Sequence, residues 1–195
     1  FDRAKQSLEN DEKIKGSDTK ILDFWKWACS DIVIPSNRDD FALFLVANAL
    51  ELTKMPRIYW ENSDLRYRKK KINIKTAAFI EHWKQKRLKR LSFDISPKRG
   101  ADAATQGSLT YRNRYPEIYI FAVLNQKELK NIDVLDLDQW QFYIVRTEAL
   151  DREHFDTRKI GIRALTKLAS PVHHSRIKPI LDDIIDYDLG ERLVL

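Results

Sequence analysis

The chain has 195 residues, of which 43% are apolar and 33% charged, and its formal net charge is +6 at pH 7. This apolar content excludes a disordered chain and suffices for one core, so we expect a single domain over residues 1–195. A single cysteine excludes an intramolecular disulfide, and no apolar run approaches the ~20 residues of a membrane span, so we expect a cytoplasmic protein without a membrane partner.

The N-terminal part of the chain is predicted to be helical. Residues 1–20 are polar and are expected to form a loosely attached segment, with further residues before Phe1. Residues 21–30 place apolar side chains at helical spacing and predict a first helix. A second helix is expected to begin at Asn37 as its cap and to run through residues 38–52, whose apolar body predicts deep burial.

The middle of the chain contains short apolar or alternating runs that are typical of strands. The predicted strands are residues 57–60, 63–68, 71–76, 91–96, 117–124 and 139–145. Lys69 and Lys70 are expected to form the turn of a hairpin. Residues 77–88 suit a helix or a strand, and residues 97–115 predict a long polar loop.

Two helices are predicted to follow the last strand. Thr147 is expected to cap the first and Ser175 the second, and Pro179 is expected to kink the second. The mixture of strands and helices predicts an α/β (α+β) fold.

Positive charge is concentrated between residues 66 and 99, where thirteen Lys or Arg accompany two acids, Glu81 and Asp94. Such an excess attracts phosphate backbones, whereas the acidic C-terminal third would repel them. Aromatic side chains that can stack on bases interleave with these cations. The candidate nucleic-acid contacts are Arg68, Lys69, Lys70, Trp83, Lys84, Gln85, Lys86 and Arg87. Two plainer interpretations stay open, a solubilising surface for the charges and core packing for Trp83.

Three polar residues at strand spacing are candidates for chemistry. Asn73 and Lys75 are two residues apart on a predicted strand and share a face, toward which Asp64 of the preceding strand can converge. Carboxylates hold Mg²⁺ for phosphodiester hydrolysis, and a lysine can stabilise charge that the metal does not reach. The spacing alone is weakly specific, and a turn-forming role for Asp64 is the alternative.

Most of the chain, from about Asp23 to Ile185, resembles a family of small bacterial proteins in the PD-(D/E)XK nuclease superfamily. The stretches that carry the resemblance are DFWKWACSDI, FALFLVANAL, SDL, INIKTAAFIEHWKQKRL, SFDI, EIYIFAVL and LDQWQFYIVRTEAL. The resemblance implies a restriction-endonuclease-like core, with a central mixed sheet flanked by helices. In this core Asp64 binds the metal and Lys75 is the lysine of the Glu-x-Lys motif. It also implies Mg²⁺ or Mn²⁺ as the cofactor and DNA as the substrate.

Two positions depart from the pattern of that family. Asn73 stands where the glutamate would be, and Leu43 stands where the helix usually supplies another glutamate. An amide lacks the negative charge that Mg²⁺ prefers, so metal binding is expected to be weak or absent. Glu81 is the candidate replacement ligand, since an acid can come from the following element in this superfamily. The alternative for Glu81 is a surface ion pair with Lys84 or an arginine.

We therefore expect a DNA-binding protein with a nuclease-like fold. Its candidate activity is phosphodiester hydrolysis by Asp64, Asn73, Lys75 and Glu81, with Asp64 and Glu81 as the metal ligands. Two alternatives stay open, a catalytically inactive nucleic-acid-binding module and a protein-interaction protein with a basic surface. A homodimer is also left open.

Overall fold

A mixed four-stranded sheet lies at the centre of the computed structural model, which describes residues 7–54, 56–57, 63–101 and 108–192. The helices within these residues are α1 (Ile21–Cys29), α2 (Pro35–Ala49), α3 (Thr147–His154), α4 (Ile162–Leu168) and α5 (Ile177–Arg192). The strands are β1 (Leu65–Tyr67), β2 (Lys70–Ala78), β3 (Ser92–Asp94), β4 (Lys98–Ala101), β5 (Ser108–Asn113), β6 (Ile118–Leu124), β7 (Trp140–Arg146) and β8 (Lys159–Gly161). Short 3₁₀ helices occupy Leu129–Asn131, Leu137–Gln139 and His174–Arg176.

The central sheet has the strand order β1-β2-β6-β7. Strands β2 and β6 run parallel, and the two outer pairs are antiparallel. Every residue of β6 is buried, because this strand has a neighbour on each side and packed elements over both faces. Two-stranded sheets pair β3 with β8 and β4 with β5. The fold is therefore mixed α+β, with a mixed central sheet flanked by helices, as the sequence predicts.

Alternate side chains of β6 enter two different cores. Ile120 packs with Val46 of α2 and Leu181 of α5 on one face of the sheet. On the other face Phe121 packs with Leu165 of α4 and with residues of β3 and β8. Successive strand residues point to opposite faces, so one apolar strand supplies both cores. This arrangement fixes α2 over one face of β2 and β3 over the other.

Helix α1 is confirmed, whereas the predicted start of α2 is wrong. The helix begins at Pro35, because proline fits the first helical position, where no backbone N–H is needed. Asn37 lies inside the helix and does not cap it. Its side-chain amide donates to the carbonyl oxygens of Ala28, at 3.1 Å, and Asp31, at 3.0 Å. Asn37 therefore ties the end of α1 to the start of α2.

The predicted hairpin is confirmed, but its turn lies one residue earlier than expected. Tyr67 pairs with Lys70, which leaves Arg68 and Lys69 as the two turn residues. Both turn residues have positive φ, 45° and 70°. A two-residue hairpin of this kind matches the twist of its strands, and it is usually built from Asn and Gly. The run of Lys and Arg concealed the turn in the sequence.

Two further predictions for the middle of the chain need correction. Residues 97–115 are not a continuous loop, since they contain the antiparallel pair β4 and β5. Residues 77–88 are neither a helix nor a strand beyond Ala78, where β2 ends and an irregular segment begins. Of the strand predicted at 57–60, residues 58–60 lie outside the described residues.

The predicted caps of the C-terminal helices are wrong. Thr147 is the first residue of α3, and its hydroxyl donates to the carbonyl oxygen of Pro116 at 2.5 Å. Ser175 lies in the 3₁₀ helix that precedes α5. Pro179 is the third residue of α5, where its missing N–H breaks no intrahelical hydrogen bond, so the premise for a kink is absent. No helix in the described ranges is both long enough and apolar enough to cross a bilayer.

Candidate functional site

Asp64 and Asn73 are in contact at the end of the β1–β2 hairpin. Regular pairing ends at Leu65 and Ile72, because β1 is only three residues long. Beyond it, the Asp64 carboxylate accepts a hydrogen bond from the Ile74 N–H at 2.8 Å, and the Asp64 N–H donates to the Asn73 side-chain oxygen at 3.2 Å. One oxygen of Asp64 therefore already stabilises the open edge of β2.

Asp64 and Lys75 line one cleft of about 350 Å³ between α2, β2 and β3. The structure thus brings together the predicted aspartate and lysine. The other residues that line this cleft are Asp39, Asp40, Leu43, Arg57, Ile74, Thr76, Ser92, Phe93 and Asp94. We call it the acidic cleft, because four of its lining residues are aspartates.

Three aspartates of the acidic cleft were missed as candidates in the sequence. Asp39 and Asp40 precede Leu43 by four and three residues, about one helical turn, so they share its side of α2. This spacing could have identified Asp39 and Asp40 as candidates from the sequence. Asp94 carries no comparable signal, because only the tertiary packing of β3 against the sheet brings it to the cleft.

Carboxylates of the acidic cleft have partners within the protein. Asp39 accepts a hydrogen bond from the Thr76 hydroxyl, Asp40 forms an ion pair with Arg57, and one oxygen of Asp94 accepts the Ser96 N–H at 2.8 Å. Among the residues that the structure describes, no three His, Cys, Asp or Glu side chains come together as a metal-binding group.

Tyr119 of β6 pairs with Asn73 in the sheet and lies within electrostatic range of the acidic cleft. The pKa of Tyr119 is raised to about 12, chiefly by burial; the charge of Arg114 lowers it, and the charges of Asp151, Asp94 and Asp64 raise it. Its hydroxyl is therefore neutral at physiological pH. Tyr119 is 3% exposed and does not act as a phenolate base at that pH.

Glu81, the predicted replacement ligand, does not line the acidic cleft. It is 1% exposed, and its carboxylate binds Arg38 at 3.0 Å and also the ammonium group of Lys89. Burial alone would raise the pKa of Glu81, but the hydrogen bonds from Lys89 and Arg38 together lower it below the usual value. The carboxylate is therefore held as an anion between two cations of the protein.

The segment of residues 79–91, which we call the basic loop, is organised around Glu81 and Gln85. The Gln85 side-chain oxygen accepts the Glu81 N–H at 2.9 Å, and its NH₂ group donates to the Phe79 carbonyl oxygen at 3.3 Å. The Lys89 N–H donates to the same Phe79 oxygen at 3.2 Å. Gln85, predicted to contact a phosphate or a base, instead closes the loop on itself.

The outer surface of the basic loop exposes the other predicted contacts. Lys84, Lys86 and Arg87 are exposed, and Trp83 is 49% exposed. The plainer interpretation of Trp83 as a core residue is therefore wrong. The ion pair between Arg38 and Glu81 attaches the basic loop to α2. Arg38 immediately precedes Asp39, which lines the acidic cleft, so this attachment lies beside the cleft.

The hairpin cations predicted to contact nucleic acid are in part neutralised within the protein. Arg68 binds Asp182 at 3.2 Å and Asp186 at 2.5 Å. Lys70 binds Asp188 at 2.7 Å. Lys69 is exposed at the tip of the turn. The acids of α5 thus offset the charge of the hairpin. Among residues 66–97, whose exposure the structure describes, the exposed positive charge is greatest at the basic loop.

Comparison with known proteins adds no relative to this description. No family model, no curated protein and no solved structure matches the chain. The candidate site accordingly consists of two adjacent parts defined by their own geometry. These are the acidic cleft with Asp64 and Lys75, and the basic loop that Glu81 anchors beside it.

Proposed function

We propose that this protein binds nucleic acid, and DNA in particular, through the basic loop. The observation that carries the proposal is the loop itself, in which exposed Lys84, Lys86 and Arg87 surround the half-exposed Trp83. Cations bind phosphates with release of counterions, and an exposed indole ring offers a surface on which bases stack. The pairing of Glu81 with Arg38 and Lys89 supports this function, because it holds the loop in one conformation before a ligand arrives.

The fold can accommodate the predicted nuclease-like core. A mixed sheet flanked by helices, with Asp64 beside a strand that carries Asn73 and Lys75, supports a restriction-endonuclease-like origin for the site. Asn73 and Leu43 replace two of the expected acids. We therefore propose binding as the principal function.

Binding is tested by removing exposed cations of the basic loop while the ion pairs of Glu81 with Arg38 and Lys89 stay intact. The variant Lys84→Gln, Lys86→Gln, Arg87→Gln removes three exposed cations. We expect its affinity for a DNA oligonucleotide to fall by more than about tenfold at low salt, and the slope of log K against log salt to fall by about 2–3, since each phosphate contact contributes about 0.9. Fluorescence anisotropy of a labelled oligonucleotide over a salt series measures both.

A matched control removes the same charge elsewhere. Arg152, Arg163 and Lys167 are exposed on α3 and α4, and their replacement by Gln should leave the salt slope within about 0.5 of the wild-type value. Equal losses in the two triple variants would show that only net charge matters. That result would contradict a binding site at the basic loop.

Metal-dependent phosphodiester hydrolysis is the second candidate function. It is favoured by one observation, the convergence of Asp64 and Lys75 on a cleft with three more aspartates. Because the described carboxylates do not form a metal-binding group as placed, we derive no catalytic step. Supercoiled and linear DNA incubated with Mg²⁺ or Mn²⁺ test this candidate. Cleavage that Asp64→Asn and Lys75→Ala both abolish would support it, and intact DNA with both metals would reject it.

A further inference from the structure

The basic loop forms one wall of an apolar recess. Binding of phosphates by the cations of the loop does not account for this apolar surface. The recess has a volume of about 530 Å³, within the range of small-molecule sites, and lies between the loop and the start of the β6–β7 connection. Its apolar lining includes Ile80, Trp83, Leu88 and Leu129. Trp83, Leu88 and Leu129 are exposed by 49%, 48% and 66%. Exposed apolar side chains grouped in this way are typical of a ligand-binding surface.

Cations surround this apolar surface. Lys84, Lys86 and Arg87 line the recess on the side of the loop, and Lys127 lines it on the opposite side. The Lys127 ammonium group lies 5.1 Å from the centre of the Phe79 ring, which holds this cation at the rim. A ligand that fits must therefore combine a flat apolar part with anionic groups.

We propose that the recess binds an unpaired nucleotide, with its base against Trp83 and its flanking phosphates on the surrounding cations. This inference rests on the proposed function and specifies the form of DNA that the loop takes. The faces of bases inside a duplex are covered by their stacked neighbours, so a duplex can offer phosphates to the loop but no base to the recess. Single-stranded DNA offers both, and each base stacked on an aromatic ring strengthens binding substantially.

The ring of Trp83 is positioned for this role. It contacts His82 in an edge-to-face arrangement, with ring centres 5.0 Å apart and planes at 82°, and still remains half exposed. The amide of Gln85, the group most suited to reading a base edge, is occupied by Glu81 and Phe79. The recess should therefore accept bases by stacking, with little preference for sequence.

The test compares single-stranded and duplex oligonucleotides of equal length, measured by fluorescence anisotropy on the full chain. We expect the wild type to bind the single strand at least tenfold more tightly than the duplex. Trp83→Ala should weaken single-strand binding by about 5- to 150-fold and change duplex binding by less than about twofold. Trp83→Phe should restore most of the single-strand affinity, because phenylalanine keeps a stacking surface.

A second tryptophan provides the control. Trp27 of α1 is 85% exposed, and Trp27→Ala should leave both affinities unchanged. Equal affinity for the two forms of DNA, with no effect of Trp83→Ala, would overturn the inference. If the loop-cation variant still lost binding in that case, the proposed function would stand. Absence of binding to either form would overturn both, as would binding only to vesicles of anionic lipid.

Discussion

At the scale of single residues, Glu81 determines the shape of the basic loop. Its carboxylate is buried between Arg38 of α2 and Lys89 of the same loop. A buried charge of this kind is tolerated only while it is paired, so the three side chains depend on one another. The same interaction joins the loop to the helix that lines the acidic cleft.

Replacement of Glu81 should destabilise the protein. We expect Glu81→Gln to lower the free energy of unfolding by about 3–5 kcal/mol, because it leaves the buried guanidinium of Arg38 without its counter-charge. Urea denaturation measures the change. Asp138→Asn is the control, since that carboxylate is 89% exposed and its loss should cost less than about 0.5 kcal/mol. Equal stability of Glu81→Gln and the wild type would contradict a structural role for the pair.

The contribution of Glu81 should also depend on pH. The folded protein lowers the pKa of Glu81, so its stabilising effect is complete above the unfolded-state pKa of about 4.3 and is lost as the pH falls through the folded-state value. The difference in unfolding free energy between the wild type and Glu81→Gln should therefore be constant above about pH 5 and shrink below about pH 4. A difference that stays constant across that range would show that folding does not lower the pKa of Glu81.

Residue-level prediction from the sequence succeeds where partners are close along the chain. Asp64 and Asn73 lie in one hairpin, and strand geometry was sufficient to predict that they meet. Arg38 and Glu81 are separated by 43 positions, and no local pattern links them. The unusual acid within a basic segment correctly drew attention to Glu81. Only the packing of α2 against the loop, however, shows that Glu81 pairs with Arg38 and Lys89 and does not line the acidic cleft.

At the scale of elements, the β1–β2 hairpin and the basic loop differ in their exposed charge although both are rich in Lys and Arg. The hairpin cations Arg68 and Lys70 face aspartates of α5. The hydrogen bond from the Tyr67 hydroxyl and then the bond from Arg68 lower the pKa of Asp182 despite its partial burial, which keeps this acid charged. The sequence could not show this neutralisation, because Arg68 and Asp182 are 114 positions apart.

The turn of this hairpin is strained, and its strain can be removed. Lys69 has a φ of 70°, a conformation that costs a side-chain-bearing residue about 1–2 kcal/mol and glycine very little. We expect Lys69→Gly to raise the free energy of unfolding by about 0.5–1 kcal/mol, after the greater freedom of glycine in the unfolded chain is included. Thermal unfolding followed by circular dichroism measures this change.

The control for the turn applies the same replacement two positions later. Lys71 lies within β2, outside the residues with positive φ, so Lys71→Gly should lower the stability, since glycine weakens a strand. A destabilising effect of Lys69→Gly equal to that of Lys71→Gly would contradict the strained turn.

At the scale of the whole molecule, strong periodic patterns predicted the fold well and irregular segments poorly. The apolar run of β6 predicted an inner strand of the sheet, because a strand buried on both faces needs a continuous apolar sequence, and the alternating run of β7 predicted a further strand. The basic loop and the β4–β5 pair were not predicted, since their shape depends on anchors elsewhere or on weak local preferences. The aspartates of the acidic cleft could not be grouped from the sequence, because the cleft between α2, β2 and β3 brings them together only in the folded protein.

We propose that the basic loop is the surface that contacts DNA, and amide hydrogen exchange is the most direct test of this claim. Exchange is compared on the full chain with and without a saturating single-stranded oligonucleotide at low salt. We predict slower exchange within residues 79–91 and little change in the turn of the β1–β2 hairpin, whose cation Arg68 is paired with α5. Protection confined to the hairpin or to α5, with unchanged exchange in the basic loop, would contradict the claim.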